Sequence, residues 1–121
     1  MKLRIYYEDT DSGGVVYHTK YIAFCERARS EIFFKNGVNF EEDGFVVRNL
    51  NATFYSPAKL GDLIEIKTTI NSIKRSFVNI TQLIFKDEKL LFEVKIKLVY
   101  LKEWKISTIP ENYKKILNEF S

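Results

Sequence analysis

Residues 89–101, KLLFEVKIKLVYL, constrain the fold more than any other stretch of the chain. In an extended strand Leu90, Phe92, Val94, Ile96, Leu98 and Tyr100 share one face, and Glu93, Lys95 and Lys97 share the other. A strand of that kind has an apolar side that must be covered. Three more strand patterns precede it. Residues 45–55 (FVVRNLNATFY) end in the turn SPAKLGD, and residues 63–74 (LIEIKTTINSIK) place Ile64, Ile66, Thr68 and Ile70 together. Residues 76–86 (SFVNITQLIFK) alternate less cleanly and read as covered on both faces, with a turn at Asp87-Glu88. Against these strands the chain sets one long helical pattern, from about Thr19 to Asn36. Its stripe of Tyr21, Cys25, Ala28 and Ile32 follows helical spacing, and Gly37 stands where a left-handed C-cap is favoured. Residues 2–8 predict a first strand with Leu3, Ile5 and Tyr7 on one face, and Pro110 opens a short helix running to about Phe120. One long helix is the only element large enough to cover the sheet. The expectation is an α+β fold: a curved antiparallel sheet wrapped around one central helix, a short C-terminal helix, and a single domain over 1–121. Strands longer than the usual five or six residues leave edges that seek a partner, so at least a dimer is expected.

Composition narrows the function classes. At 45% apolar and 29% charged over 121 residues, the chain is a globular domain with a real core. A net charge of +3 suits a phosphorylated small molecule and is too small to argue for nucleic acid. Phe77, Phe85 and Phe92 imitate a base-stacking platform, but the alternation assigns Phe92 to the core. The single Cys25 excludes an intramolecular disulfide and fits a reducing compartment. No secretory leader pattern and no membrane-length apolar run is seen, so the expected setting is the cytoplasm.

The chemistry concentrates in residues 6–21, YYEDTDSGGVVYHTKY, which hold three carboxylates, two adjacent glycines and the only histidine. The segment leads into the central helix, whose first-turn amides lack intrahelical partners and whose dipole is positive there. Such an end can hold a developing oxyanion, with a nearby carboxylate as base or nucleophile. The glycines allow a close approach of backbone to substrate. A base beside an oxyanion site describes acyl transfer. Plain capping and a turn account for the same residue types. His18 has no second histidine beside it, so no metal site is expected.

The run YYEDTDSGGVVYHTKYIAFCERARSE resembles the signature of the 4-hydroxybenzoyl-CoA thioesterase branch of the hotdog-fold superfamily. It is most similar to the Tol-Pal-associated (YbgC-type) acyl-CoA thioesterases. FVVRNLNATFYSPAKLGDLIEI and KRSFVNITQ resemble later family segments in the same order. The resemblance implies a hotdog fold and hydrolysis of fatty or related acyl-CoA to free acid and CoA, with no cofactor. It assigns the catalytic aspartate to Asp11, gives Asp9 a supporting or structural role, and sets the oxyanion amide at or beside His18. The side chains of His18 and Tyr7 match positions implicated in polarising or orienting the thioester and water. Arg75 and Ser76 match a CoA-contacting segment, with Gly14 and Tyr17 as further substrate contacts and Arg48 and Lys59 as weaker ones.

Other hotdog thioesterases carry a glutamate on the central helix, which brings Glu26 and Glu31 into view. Both lie in ERARSE, which reads as a polar helix face, and Cys25 reads as a small buried hydrophobe. Lys95 and Lys97 read as solubilising residues on the open side of the last strand. The resemblance also implies a homotetramer of hotdog dimers and leaves acyl carrier protein as a possible carrier of the substrate. Two rivals share the fold: a hydratase or dehydratase, to which DTDSGGVVYH is ill suited, and a non-catalytic acyl-CoA or acyl-carrier-protein binding module.

Overall fold

The computed structural model describes residues 1–121. In chain order the elements are β1 (Lys2–Arg4), a 3₁₀ turn (Tyr7–Asp9), α1 (His18–Phe34), β2 (Asp43–Phe54), β3 (Leu63–Ile73), β4 (Phe77–Lys86), β5 (Lys89–Lys102), β6 (Lys105–Ile106) and α2 (Glu111–Asn118). The strands form one antiparallel sheet in the order β1-β3-β4-β5-β2, with β6 added to the end of β5. Pairing shifts by one residue at three places, between Val47 and Asn49, between Ile70 and Ser72, and opposite Ile84/Phe85. Each such bulge bends its strand and adds twist, and together they curl the sheet around α1. This is the hotdog arrangement, an α+β fold with a long helix inside a curved sheet.

The expected helix stripe is buried as predicted: Tyr21, Cys25, Ala28 and Ile32, joined by Phe24, Arg29 and Phe33. Tyr21 stacks on Phe92 of β5 at 5.3 Å and meets Phe54 of β2 edge-on at 5.6 Å. At the other end of α1, Phe33 stacks on Phe45 of β2 at 5.5 Å and meets Tyr113 of α2 edge-on at 5.6 Å. Gly37 takes φ +76 just beyond the helix, a left-handed position that costs glycine little. One core cluster, running from Ile5 to Leu117, holds Tyr21, Phe24, Cys25, Ala28, Ile32, Phe33, Phe92 and Tyr113, with Phe45 packed against it.

Several strand expectations need correction. The first strand stops at Arg4, and Tyr7 sits on the 3₁₀ turn with 81% of its surface exposed. Leu90 pairs with Phe85 on the outer side, because the bulge lets Leu91 enter the core before Phe92 resumes the inward series. The carbonyl of that same Leu91 accepts the Tyr55 and Ser56 amides at 2.9 and 3.2 Å. β4 alternates regularly, with Val78, Ile80, Gln82 and Ile84 buried, and Gln82 holds a polar side chain at a core position. β6 follows a two-residue turn at Glu103-Trp104, both with positive φ, that the sequence gives little sign of.

Candidate functional site

The loop between β1 and α1 is stitched to the turn between β2 and β3 by main-chain hydrogen bonds. Gly61 N–H donates to Ile5 O at 2.9 Å, Val16 N–H to Ala58 O at 2.9 Å, and Leu60 N–H to Gly14 O at 3.3 Å. Within the loop Asp11 N–H donates to Val15 O at 2.9 Å and Gly14 N–H to Asp11 O at 3.1 Å. Gly14 takes φ +79 with open space where a Cβ would stand, so glycine here serves a left-handed turn. The Tyr21 hydroxyl accepts the Ala58 amide at 2.9 Å, fastening the first turns of α1 to the segment that carries the loop. Sequence reading assigns Tyr21 only to the apolar stripe and SPAKLGD only to a turn; their part in holding the loop has no local signature.

The two aspartates of the loop differ. Asp9 is 6% exposed; its Oδ2 accepts the Tyr6 amide at 3.0 Å, its Oδ1 faces Lys20 Nζ at 3.7 Å, and its carbonyl accepts the Tyr17 amide at 3.0 Å. Asp9 therefore closes the 3₁₀ turn and pins the entry to α1. Asp11 is exposed, and its Oδ1 accepts the Gly13 amide at 2.8 Å while Oδ2 has no partner within the chain. A Cβ on Gly13 would lie 3.2 Å from that Oδ1, so the glycine also gives the carboxylate room.

Neither carboxylate side chain caps α1. Its N-cap, Tyr17, makes no side-chain capping bond, and the first turn contains no acidic residue. Lys20 N–H donates to Tyr17 O at 2.9 Å, whereas the His18 and Thr19 amides find no acceptor within the chain. A helix of 17 residues thus presents open N–H groups at its positive end. The Tyr17 and His18 rings lie there, 4.5 Å apart and both exposed. Tyr7, Asp11, Gly14, Tyr17 and His18 all belong to this one stretch, yet no hydrogen bond links the Tyr7, Asp11 and His18 side chains to one another.

Arg75 and Ser76 lie elsewhere. They follow β3, whereas the loop meets the sheet just before β3 begins; that strand has 11 residues and spans about 33 Å. Arg75 Nε donates to Thr108 Oγ1 at 3.0 Å, and the Ser76 carbonyl accepts the Tyr100 amide at 2.8 Å. A single chain does not bring these two residues to Asp11. Arg48 is an exposed residue at the β2 bulge, and Lys59 pairs with Val15 beside the loop.

The central helix corrects one reading. ERARSE is not polar throughout: Glu26 is exposed and accepts the Ser30 hydroxyl at 2.9 Å, but Arg29 is buried and donates through Nη1 to Gln82 Oε1 at 2.9 Å. Cys25 is fully buried, as expected, and burial pushes its thiol up to about 12, so it carries no thiolate near neutrality. Lys97 on the outer face lies 4.0 Å above the Phe77 ring rather than free in solvent.

The fold and an open helix N-terminus beside an anchored acidic loop define a hotdog protein with the elements of an acyl-transfer site. Residues 13–93 match the thioesterase superfamily, and the chain belongs to that family. It is similar to an acyl-CoA thioesterase YbgC of Helicobacter pylori, 42% identical with 98% of both chains covered. An acyl-CoA thioester hydrolase YbgC of Escherichia coli is 44% identical over 80% of this chain and 77% of that one. Among solved structures, a probable thioesterase from Bartonella henselae superposes with a TM-score of 0.85 at 33% identity, covering 91% of this chain and 97% of the other. No helix is long and apolar enough to cross a membrane.

Proposed function

We propose that the chain, as one thioesterase domain over 1–121, hydrolyses the thioester of fatty or related acyl-CoA to free acid and CoA. The observation that carries this reading is the pairing of unpartnered His18 and Thr19 amides with an exposed Asp11 on a loop fixed by main-chain bonds. The amides receive the negative charge that develops on the carbonyl oxygen. Asp11 takes a proton from water as the water oxygen attacks the carbonyl carbon. The C–S bond then breaks, and the CoA thiolate leaves and is protonated. Alternatively the Asp11 carboxylate attacks the carbonyl itself, giving a mixed anhydride that water cleaves. Single turnover in ¹⁸O-water separates the routes, because attack of labelled water on the aspartyl carbonyl of the anhydride leaves label in Asp11. His18 and Tyr7 orient the thioester and water, with Gly14 and Tyr17 contacting substrate, and the chemistry needs no metal or cofactor.

Arg75 and Ser76 enter this scheme across an interface between copies. β2 pairs only with β5, leaving a free edge 12 residues long on which Val46, Val47, Leu50 and Phe54 are exposed. An apolar edge of that length supports association of at least two chains, and the family likeness favours a tetramer of such dimers. The expected setting is the cytoplasm, with acyl-CoA as substrate and acyl carrier protein as an alternative carrier.

The test is free-thiol release from a short-to-long acyl-CoA series by wild type and Asp11→Asn. Asparagine can still accept the Gly13 amide, so the loop survives, and turnover is expected to fall about 10²–10⁴-fold. Near-normal turnover by a folded Asp11→Asn overturns the role of Asp11. A wild type that binds acyl-CoA and turns over none of the series is a binding module, not a hydrolase.

A further inference from the structure

We propose that Asp62, held by Lys86, is a positioning residue for the hydrolysis, a role that rests on Asp11 being the reacting carboxylate. Residues 55–62, between β2 and β3, are bonded to both halves of the site. On one side Ala58 O accepts the Val16 amide at 2.9 Å, and Leu60 N–H donates to Gly14 O at 3.3 Å. Lys59 pairs with Val15, whose carbonyl accepts the Asp11 amide at 2.9 Å. On the other side the Ala58 amide donates to the Tyr21 hydroxyl at 2.9 Å, about one helical turn beyond His18. One turn thus holds both the carboxylate loop and the helix end with its open amides, and the spacing between them is set through it.

Asp62 closes that turn. Its Oδ2 accepts the Lys59 amide at 2.8 Å, and its own N–H donates to Lys59 O at 3.0 Å. Its carbonyl accepts the Ile5 amide at 2.9 Å, at the start of the segment that carries Asp11. Its Oδ1 faces Lys86 Nζ at 2.9 Å, so the last residue of β4 ties the turn to the sheet. The Asp62 side chain is 12% exposed and that of Lys86 44%, which shields the pair in part from solvent. Burial alone would raise the Asp62 carboxyl, but the bonds from Lys86 and the Lys59 amide hold it below the ordinary value, and the same pairing raises Lys86. Both partners are therefore charged at neutral pH, and a short charge-assisted bond between them is a stiff tether. Without it the turn can shift, and the main-chain bonds at residues 14, 15 and 16 carry the Asp11 loop with it. A misplacement of about 1 Å between reacting groups can cost about 10²-fold in rate. Neither Asp62 nor Lys86 contacts substrate in this scheme, so the loss falls on kcat.

The experiment measures kcat and KM by free-thiol release from the acyl-CoA that wild type turns over fastest. The variants are Asp62→Asn, Lys86→Met, Lys86→Arg, Asp11→Asn and the double Asp11→Asn/Lys86→Met, each at a temperature where circular dichroism shows it folded. In Asp62→Asn and Lys86→Met, kcat is expected to fall about tenfold or more with KM within about threefold of wild type. Lys86→Arg keeps the charge and should recover most of the rate. In the Asp11→Asn background Lys86→Met should cost no more than about twofold further, because the carboxylate it positions is already gone. Should Asp62→Asn fail to fold, Lys86→Met breaks the pair at its more exposed partner, leaves the Lys59 bonds of Asp62 in place, and decides the matter. A folded Lys86→Met with near-normal kcat, a Lys86→Arg as slow as Lys86→Met, or losses that multiply in the double variant overturn the proposal and leave the role of Asp11 standing. Near-normal turnover by Asp11→Asn overturns both.

Discussion

Gln82 is the one uncharged polar side chain in the buried core, and its replacement by leucine tests what joins the central helix to the sheet. Its Nε2 donates to the Cys25 carbonyl at 2.9 Å and to Thr68 Oγ1 at 3.1 Å, while its Oε1 accepts Arg29 Nη1 at 2.9 Å. Leucine is close in volume, so little cavity term arises and the loss is that of the polar contacts. A hydrogen bond to a charged group contributes about 1.5–3 kcal/mol and a neutral one about 1 kcal/mol. The sum is about 3–5 kcal/mol, a large share of the stability of a domain this size. With unfolding entropy near 2 cal/mol/K per residue, this corresponds to a fall in Tm of roughly 10–20 °C. Urea unfolding should show the drop at unchanged m. The double variant Gln82→Leu/Arg29→Met removes the buried charge with its acceptor, and should be about 1.5–3 kcal/mol more stable than the sum of the single losses. A single-variant loss below about 1 kcal/mol, or strict additivity in the cycle, refutes the view that Gln82 compensates Arg29.

Asp9→Ala should cost about 2–3 kcal/mol, since it removes a buried carboxylate that accepts the Tyr6 amide and faces Lys20; thermal unfolding checks this, and Asp11→Asn should leave Tm nearly unchanged. Asp43 gives an acid-side signature. Burial alone would raise its carboxyl, but hydrogen bonds from Tyr100, Tyr113 and the Glu41 amide, with Lys102 nearby, hold it below the ordinary value. A depressed folded pKa stabilises at neutral pH, and that contribution is lost as pH falls from about 4 through the folded value. Tyr113→Phe, which removes one of the donors, should flatten this part of the stability-against-pH curve, as measured by urea unfolding at stepped pH.

The general architecture was legible because its signals are periodic. The four-three-four stripe of α1 and the alternation of β3 each report which face is buried, and both agree with the structure. What was hidden depends on contacts distant in sequence. Tyr7 continues the alternation of Leu3 and Ile5, but Asp9 closes a 3₁₀ turn on the Tyr6 amide and takes Tyr7 out of the strand. Leu91 shifts the inward series because the β2 end docks on its carbonyl, a pairing that no local pattern announces. Arg29 and Gln82 look like surface residues by type and are buried because each satisfies the other from elements 53 residues apart. The position of Asp11 followed from likeness to a family motif, whereas its difference from Asp9 in burial and partners emerges only once the loop is folded.

The segment that carries Asp11 is attached to the turn between β2 and β3 through N–H and C=O groups at residues 5, 14, 16, 58, 60 and 61. Such bonds do not depend on side-chain identity. Side chains at positions 15 and 60 can therefore vary while these main-chain bonds, and the course of the loop that carries Asp11, are kept.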